Sequence, residues 1–150
     1  MPVSASSIAD QLADRMAGTA KGTRIELRIP ASAAHIPTAR TVAADLAGRQ
    51  DFDLDGIQDF RMAVDEACSQ LVKHASAGSA LCCLFVITSD QIDVIAVVKV
   101  DAPIILATNT FGWQVLSTLT ELVEPIPLSD GEIPELAIRL RVHKDRTAGA

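Results

Sequence analysis

Two apolar, β-prone segments joined by a short turn constrain the fold more strongly than any other feature of this sequence. Leu81–Thr88 carries no charged residue, and Ile92–Val100 carries two. The intervening Ser89-Asp90-Gln91 suits an antiparallel hairpin. Apolar runs of this length are typical of central strands. The sequence therefore predicts a hairpin in the middle of a sheet.

Three further segments predict the remaining strands. Arg24–Ile29 alternates strictly between charged and apolar residues, which indicates a strand with one buried face. Leu136–Val142 alternates in the same way near the end of the chain. Before it, Pro125 and Pro127 predict an irregular stretch or a short edge strand, followed by a turn at Ser129-Asp130-Gly131.

A basic stripe lies on the predicted final strand. Arg139, Arg141 and His143 are two residues apart and so share one face of that strand. Such a stripe is usually the solvent-exposed face of an edge strand, and an anion-binding surface is the alternative. We expect the solvent-exposed face.

Three helices are predicted between the strands. The first covers Pro37–Arg49, with proline where a helix start tolerates it. The second begins after a cap at Asp53 or Asp55, and its apolar residues recur at three- and four-residue steps up to Val72. The third covers Phe111–Leu122.

The element order is β-α-α-β-β-α-β-β, which predicts an α+β fold. We expect a two-layer sandwich with one mixed, mostly antiparallel sheet and the helices on one face. Residues 23–146 form the predicted domain, residues 1–22 a weakly helical or disordered tail, and residues 147–150 a disordered end. In the tail, Ile8, Leu12 and Met16 stand at helical spacing.

Composition limits the classes of function. The formal net charge of −6 repels phosphate backbones and the aromatic content is 3%, so direct nucleic-acid binding is not expected. The uncharged stretch Ala102–Thr120 contains proline, glycine and several polar residues, which argues against a membrane helix. Cys68, Cys82 and Cys83 show no metal or disulfide spacing. We expect buried thiols in a reducing compartment, with the neighbouring pair on opposite sheet faces.

The second helix carries the chemistry-bearing pattern. Arg61–Ala75 reads RMAVDEACSQLVKHA, and Glu66 and Gln70 in it are four residues apart on one helix face. Taken alone, this spacing is usual for a solvated face. The segment resembles, however, the signature helix "lavdEacsNvvkHa" of the RsbW-type anti-sigma factors and serine-protein kinases. These belong to the histidine-kinase-like ATPases (GHKL or Bergerat type), and the element order fits from Arg24 to His143.

The resemblance implies roles for residues of a nucleotide site. Glu66 takes the place of the glutamate that handles water or the substrate hydroxyl. Gln70 takes the place of the asparagine that holds magnesium, and its amide reaches about 1.5 Å further than an asparagine amide. Asp101 takes the place of the aspartate that binds adenine in an Asp-x-Gly-x-Gly motif. Both glycines of that motif are replaced, by Pro103 and Ile105.

The glycine-rich lid of the family is also reduced. Thr110-Phe111-Gly112-Trp113 keeps only Gly112 of a motif similar to Gly-Leu-Gly-Leu, whose backbone amides cradle phosphates. The preceding residues, Ala102–Asn109, include no glycine and no basic residue. The chain is thus identified as a degenerate, actinobacterial-like member of the family, with ATP and magnesium as its doubtful cofactors.

The resemblance further implies partners. The family's anti-sigma factors sequester an alternative sigma factor of the stress or development type, and an anti-anti-sigma protein with a STAS domain releases it. Arg40 resembles the first-helix arginine that contacts both partners; a solvated helix arginine is the other interpretation. A cytoplasmic homodimer is expected. Two alternatives stay open: an active serine kinase that phosphorylates the anti-anti-sigma factor with Mg-ATP, and a dimeric scaffold.

Overall fold

The computed structural model of the protein describes residues 22–128 and 133–144. Within these ranges a single sheet is packed by helices. The strands are β1 (Thr23–Pro30), β2 (Ala80–Ile87), β3 (Gln91–Lys99), β4 (Leu122–Leu128) and β5 (Glu135–His143). The helices are α1 (Ile36–Arg49), α2 (Leu54–Val72) and α3 (Phe111–Leu119), and a short 3-10 turn (Ala33–His35) precedes α1. The predicted α+β fold and its element order are confirmed.

The five strands lie in the order β1-β2-β3-β5-β4, and every neighbouring pair is antiparallel. The expected sheet was mixed, so the described strands are more uniform than predicted. The connection from β1 to β2 explains the difference. A single helix would carry the chain back to the end of the sheet where β1 starts, and β2 would then run parallel to β1. The two helices α1 and α2 carry it back again to the end where β1 stops, so β2 runs antiparallel to β1.

Capping side chains set the beginnings of the two helices that flank the candidate site. Asp53 accepts a hydrogen bond from the Gly56 amide at 2.7 Å and begins α2, in agreement with one of the two predicted caps. Thr110 does the same for the Trp113 amide at 3.1 Å and begins α3. Helix α3 ends at Leu119, three residues before the predicted end, because Leu122 already pairs with Arg141 as part of β4.

The main core fills the space between the helices and one face of the sheet. Phe60 of α2 and Phe85 of β2 are both fully buried there and meet edge to face, with ring centroids 6.4 Å apart. Cys83 faces this core, while Cys82 lies in a second apolar cluster on the other face of the sheet. The predicted burial of the neighbouring cysteines on opposite faces is confirmed.

Strand β5 is an interior strand, so the prediction that its basic stripe is an exposed edge is wrong. Strand β4 pairs with it on the outside and takes the edge position, as the two prolines of β4 allowed. Arg139 is only 8% exposed and pairs with Glu124 at 3.1 Å. Arg141 donates two hydrogen bonds to the buried Asp93, at 2.7 and 3.3 Å, and this pairing raises the pKa of the guanidinium.

Some predictions concern parts of the chain outside the described residues. These are the tail up to residue 21, the turn Ser129-Asp130-Gly131, and the chain end from residue 145 with its domain boundary. In the part of the chain that the structure describes, no helix has the length and apolar character needed to cross a membrane.

Candidate functional site

The structure brings Glu66 and Gln70 together one turn apart near the end of α2. The Gln70 side-chain amide donates a hydrogen bond to Glu66 Oε2 at 3.0 Å. Gln70 is only 9% exposed and Glu66 is half-buried. Helix α2 holds both in place because its opposite side, including Ala67 and Cys68, is buried in the main core. The pair therefore lies on a rigid element, and the two side chains serve as hydrogen-bond partners for each other.

Gly112, in the first turn of α3, closes over this pair. A Cβ atom added to Gly112 would lie 2.7 Å from Glu66 Oε2 and 2.8 Å from Gln70 Nε2, closer than real Cβ atoms approach such atoms. A larger residue at this position would have to displace the ends of the Glu66 and Gln70 side chains, whereas glycine leaves them in place. Three of the five site residues predicted from the sequence, Glu66, Gln70 and Gly112, thus meet at one point.

The space left around this point is a small open cleft of about 210 Å³. Ligand sites for drug-sized molecules usually occupy roughly 300–1,000 Å³, so the cleft is smaller than a typical site for a nucleoside triphosphate. Its lining combines the predicted site residues with the two residues that follow α2 and the segment before α3: Glu66, Gln70, Lys73, His74, Leu106, Ala107, Thr110 and Gly112.

Asp101 is not brought into this cleft. It lies on the surface just after β3, and its Oδ1 accepts a hydrogen bond from Ser76 Oγ at 2.8 Å. The same two stretches are joined by an isolated antiparallel bridge between Ala75 and Val100. The structure therefore gives Asp101 a local contact that ties the end of α2 to the end of β3, and separates it from the Glu66–Gln70 pair.

The segment between Asp101 and α3 is short and anchored. It has no regular secondary structure, and Leu106 in its middle is buried in the main core at 7% exposure. Ile105 points the other way and is 86% exposed. A lid that is pinned at its centre by a core residue and contains no glycine has little freedom to refold around a phosphate.

Arg40 lies in a second, neighbouring cleft of about 380 Å³. Its guanidinium pairs with Asp65 of α2 at 3.3 Å, and both side chains are about one-third exposed. Glu66 also lines this cleft and so connects it to the first one. The remaining lining residues come from α2 and α3: Gln58, Arg61, Met62 and Val115.

Exposed apolar side chains surround the second cleft. Met62 on α2 is 52% exposed, and Phe111 at the start of α3 is 80% exposed. Phe111 and Val115 are four residues apart, so they lie on the same face of α3. Aromatic residues, methionine and arginine are enriched in protein–protein interfaces, and this surface presents all three.

Two residues of the site were missed by the sequence analysis. Asp65, the partner of Arg40, carries no signal in the sequence, because the pairing joins two helices across 25 positions. Lys73 lines the first cleft and could have been found, since it lies three residues after Gln70 and seven after Glu66 on the same side of α2.

Comparison with known proteins agrees with the geometry of α2 and the sheet. Residues 29–99 match the model of the histidine kinase-like ATPase domain. The chain is 30% identical over 121 residues to the anti-sigma-F factor RsbW of two Mycobacterium tuberculosis strains, CDC 1551 and H37Rv, covering 80% of this chain and 71% of the relative. It is 40% identical over 52 residues to the serine-protein kinase RsbW of Bacillus cereus, covering 35% of this chain and 32% of that protein.

The family expected from Arg61–Ala75 is thus found again by comparison over most of the chain. The region matched by the family model contains the strands β2 and β3, the last two residues of β1, and the helices α1 and α2, which carry Arg40, Glu66 and Gln70. The chain belongs to the RsbW-type family of proteins with the histidine-kinase-like ATPase fold.

Proposed function

We propose that this protein is an anti-sigma factor that binds an alternative sigma factor of the stress or development type and is released by a STAS-domain anti-anti-sigma protein. In this proposal it acts in the cytoplasm, as a homodimer, and without using Mg-ATP. The observation that carries the proposal is the closed contact of Glu66, Gln70 and the Gly112 backbone, which fills the place where a metal-nucleotide complex would have to sit.

The chemistry of the donor set argues against magnesium. Magnesium requires near-ideal octahedral geometry with oxygen ligands at roughly 2.0–2.1 Å. The Gln70 amide nitrogen is directed at Glu66 Oε2, so the two groups satisfy each other. Opening the pair for a metal would break this hydrogen bond and leave the Gln70 amide nitrogen, on a side chain only 9% exposed, without its partner. The residues present do not fit a magnesium-bound nucleotide.

The contacts around Arg40 support binding of a protein partner. Its ion pair with Asp65 keeps the guanidinium over a groove between α1, α2 and α3, with exposed Met62 and Phe111 beside it. Arginine and large apolar residues at the centre of an interface commonly dominate binding free energy. The relatives named anti-sigma-F factor RsbW support a sigma factor as that partner.

Binding of purified sigma factors of the source cell to the Arg40→Ala variant tests this role. We expect Arg40→Ala to weaken binding by at least about tenfold, as for a central interface arginine. Arg49→Ala is the matched control, because Arg49 lies on the same helix and forms an exposed pair with Asp45 at 2.8 Å. Equal loss in both variants would remove the assigned surface, and absence of binding by the parent protein to every sigma factor would remove the function.

Calorimetric titration with ATP and magnesium tests the nucleotide part of the proposal. We expect no heat of binding up to millimolar ATP in the parent protein. Micromolar affinity corresponds to about −8 kcal/mol and is easily measured. If the parent bound ATP and Asp101→Ala abolished the binding, the nucleotide pocket would be functional.

One observation favours a second candidate, an active serine kinase acting on the anti-anti-sigma protein. Lys73 and His74 line the first cleft, and both side chains can donate hydrogen bonds to phosphate. The relatives named serine-protein kinase RsbW support the same candidate. Incubation of the STAS protein with Mg-ATP and the parent or Glu66→Ala variant decides it. Phosphate transfer that depends on Glu66 establishes the kinase, and its absence leaves the binding protein.

A further inference from the structure

The face of the sheet opposite the helices carries an apolar cluster that is fully buried. We call it the outer cluster. It contains only strand residues, each 0–3% exposed, and two partly buried residues of β4 extend it: Cys82, Leu84, Val86, Ile95, Val97 and Ala137, with Ile126 and Leu128. The cluster runs from β2 across β3 and β5 to the edge strand β4.

This degree of burial indicates a covering layer in addition to the side chains of the face itself, one of which, Arg28, donates a hydrogen bond to Cys82 Sγ at 3.5 Å. Side chains on an uncovered sheet face keep their outer ends in water, because neighbouring strands shield only their flanks. Yet Val97 and Ala137 are 0% exposed within a single copy of the chain. In residues 22–128 and 133–144 all the helices contribute to the main core on the other face, and none contributes to the outer cluster.

The entry of the chain into β1 indicates where the cover comes from. A Cβ atom added to Gly22 would lie 2.9 Å from the Ile87 carbonyl oxygen and 2.9 Å from Val86 Cγ1. Val86 belongs to the outer cluster, so the backbone just before β1 is pressed against the edge of that cluster. Glycine at this position allows the preceding residues to approach the outer face.

We propose that residues 1–21 dock on the outer cluster and form a third layer of the domain. Ile8, Leu12 and Met16 recur every four residues, which places them on one side of a helix, while Asp10 and Asp14 fall on the opposite side. A helix of about 14 residues is roughly 21 Å long, and five strands spaced about 4.8 Å apart span roughly 19 Å. The segment is therefore long enough to cross the whole sheet from β1 to β4.

The native cysteines provide a reporter for this docking. Cys82 lies in the outer cluster, whereas Cys68 and Cys83 lie in the main core with their sulfur atoms 3.8 Å apart. All three thiols are free and buried. The rate of N-ethylmaleimide labelling of each cysteine in the full chain, resolved by peptide mass spectrometry, therefore measures the outer face and the main core separately.

The variants Leu12→Ala and Leu12→Asp remove the central anchor of the segment. We expect labelling of Cys82 to accelerate by about tenfold or more in Leu12→Ala, since a buried leucine contributes at least this factor to a docking equilibrium. Labelling of Cys68 and Cys83 should not change. Asp14→Asn, on the opposite side of the segment, is the matched control and should leave all three rates unchanged.

Two results would overturn the proposal. One is a Cys82 rate that is the same in Leu12→Ala, Leu12→Asp and the parent while the circular dichroism spectrum is native. The other is a Cys82 rate that depends on protein concentration but not on residue 12, which would assign the cover to a second copy of the chain. If Leu12→Asp loses its fold, the comparison of Leu12→Ala with Asp14→Asn decides alone.

Discussion

Shortening Gln70 to asparagine tests whether this amide closes the candidate site. The Gln70 amide nitrogen and Glu66 Oε2 are 3.0 Å apart. An asparagine amide lies about 1.5 Å nearer the helix, so the separation would grow to roughly 4.5 Å, beyond hydrogen-bonding range. A hydrogen bond to a charged group contributes about 1.5–3 kcal/mol when buried, and Glu66 is only half-buried. We therefore expect Gln70→Asn to lower the free energy of unfolding by about 1 kcal/mol.

Differential scanning calorimetry measures this loss directly. For a chain of this length, 1 kcal/mol corresponds to a fall in Tm of about 2–4 °C. Gln58→Asn is the matched control, because it makes the same chemical change at an exposed position of the same helix. Comparing the two variants cancels the small difference in helix propensity between glutamine and asparagine. Equal melting temperatures for the two variants would show that the 3.0 Å contact contributes nothing.

The same variant also tests the proposal that the site does not bind Mg-ATP. Gln70→Asn restores the residue type of the family signature but leaves Pro103 and Ile105 in place of the glycines. We expect it to bind no Mg-ATP, because the pinned lid and the unavailable Asp101 remain. If Gln70→Asn alone produced micromolar binding by calorimetric titration, the argument that the lid is also closed would be wrong.

Three further predictions concern the stability of the scaffold. Glu135 is 5% exposed, and among the described residues its Oε2 has no hydrogen-bond partner. Burial raises the pKa of its carboxyl group above the ordinary value of 4.5, and the charge of Lys99 opposes this only partly. A carboxyl group with a raised pKa in the folded state destabilises the fold as pH rises through that pKa. Glu135→Gln should therefore be more stable than the parent by about 1 kcal/mol at pH 7 and equal to it at pH 3.5, as measured by urea unfolding. Asp93→Ala leaves Arg141 without its two hydrogen bonds and should cost about 2–3 kcal/mol in the same assay; a loss below 0.5 kcal/mol would contradict a structural role for the pair. Asp53→Ala removes the cap of α2 and should cost about 1 kcal/mol by thermal unfolding, whereas Asp55→Ala, at the second residue of the helix, should cost clearly less.

Much of the fold could be predicted because local patterns decide it. The apolar runs of β2 and β3 and the alternation of β1 and β5 fix strand positions, and the spacing of apolar residues fixes α2. The edge role of β4 was left open, and the interior position of β5 was missed. Strand order depends on which edges meet in space, and the partly buried pairs Arg141–Asp93 and Arg139–Glu124 that reveal it join residues 48 and 15 positions apart.

The site was predicted as a set of residues but not as an arrangement. Glu66 and Gln70 share a helix face by spacing alone, so their proximity followed from the sequence. The approach of Gly112 to them depends on how α3 packs on α2, and the separation of Asp101 depends on its contact with Ser76. These are tertiary contacts between distant segments, and no local pattern determines them.

Helix α2 shows how the family pattern can serve purposes other than nucleotide chemistry. One side of the helix supplies Phe60, Val64 and Leu71 to the main core, and their burial alone maintains an amphipathic sequence of this type. The other side faces the two clefts, where Glu66 is shared between the closed contact with Gln70 and the groove that holds Arg40. A glutamate in this position can therefore be retained as part of a protein-binding surface. Glu66 has different neighbours in the two clefts, so Glu66→Ala should weaken partner binding through the Arg40 groove even if the protein transfers no phosphate. Measuring both partner binding and phosphate transfer in this variant distinguishes a binding protein from a kinase.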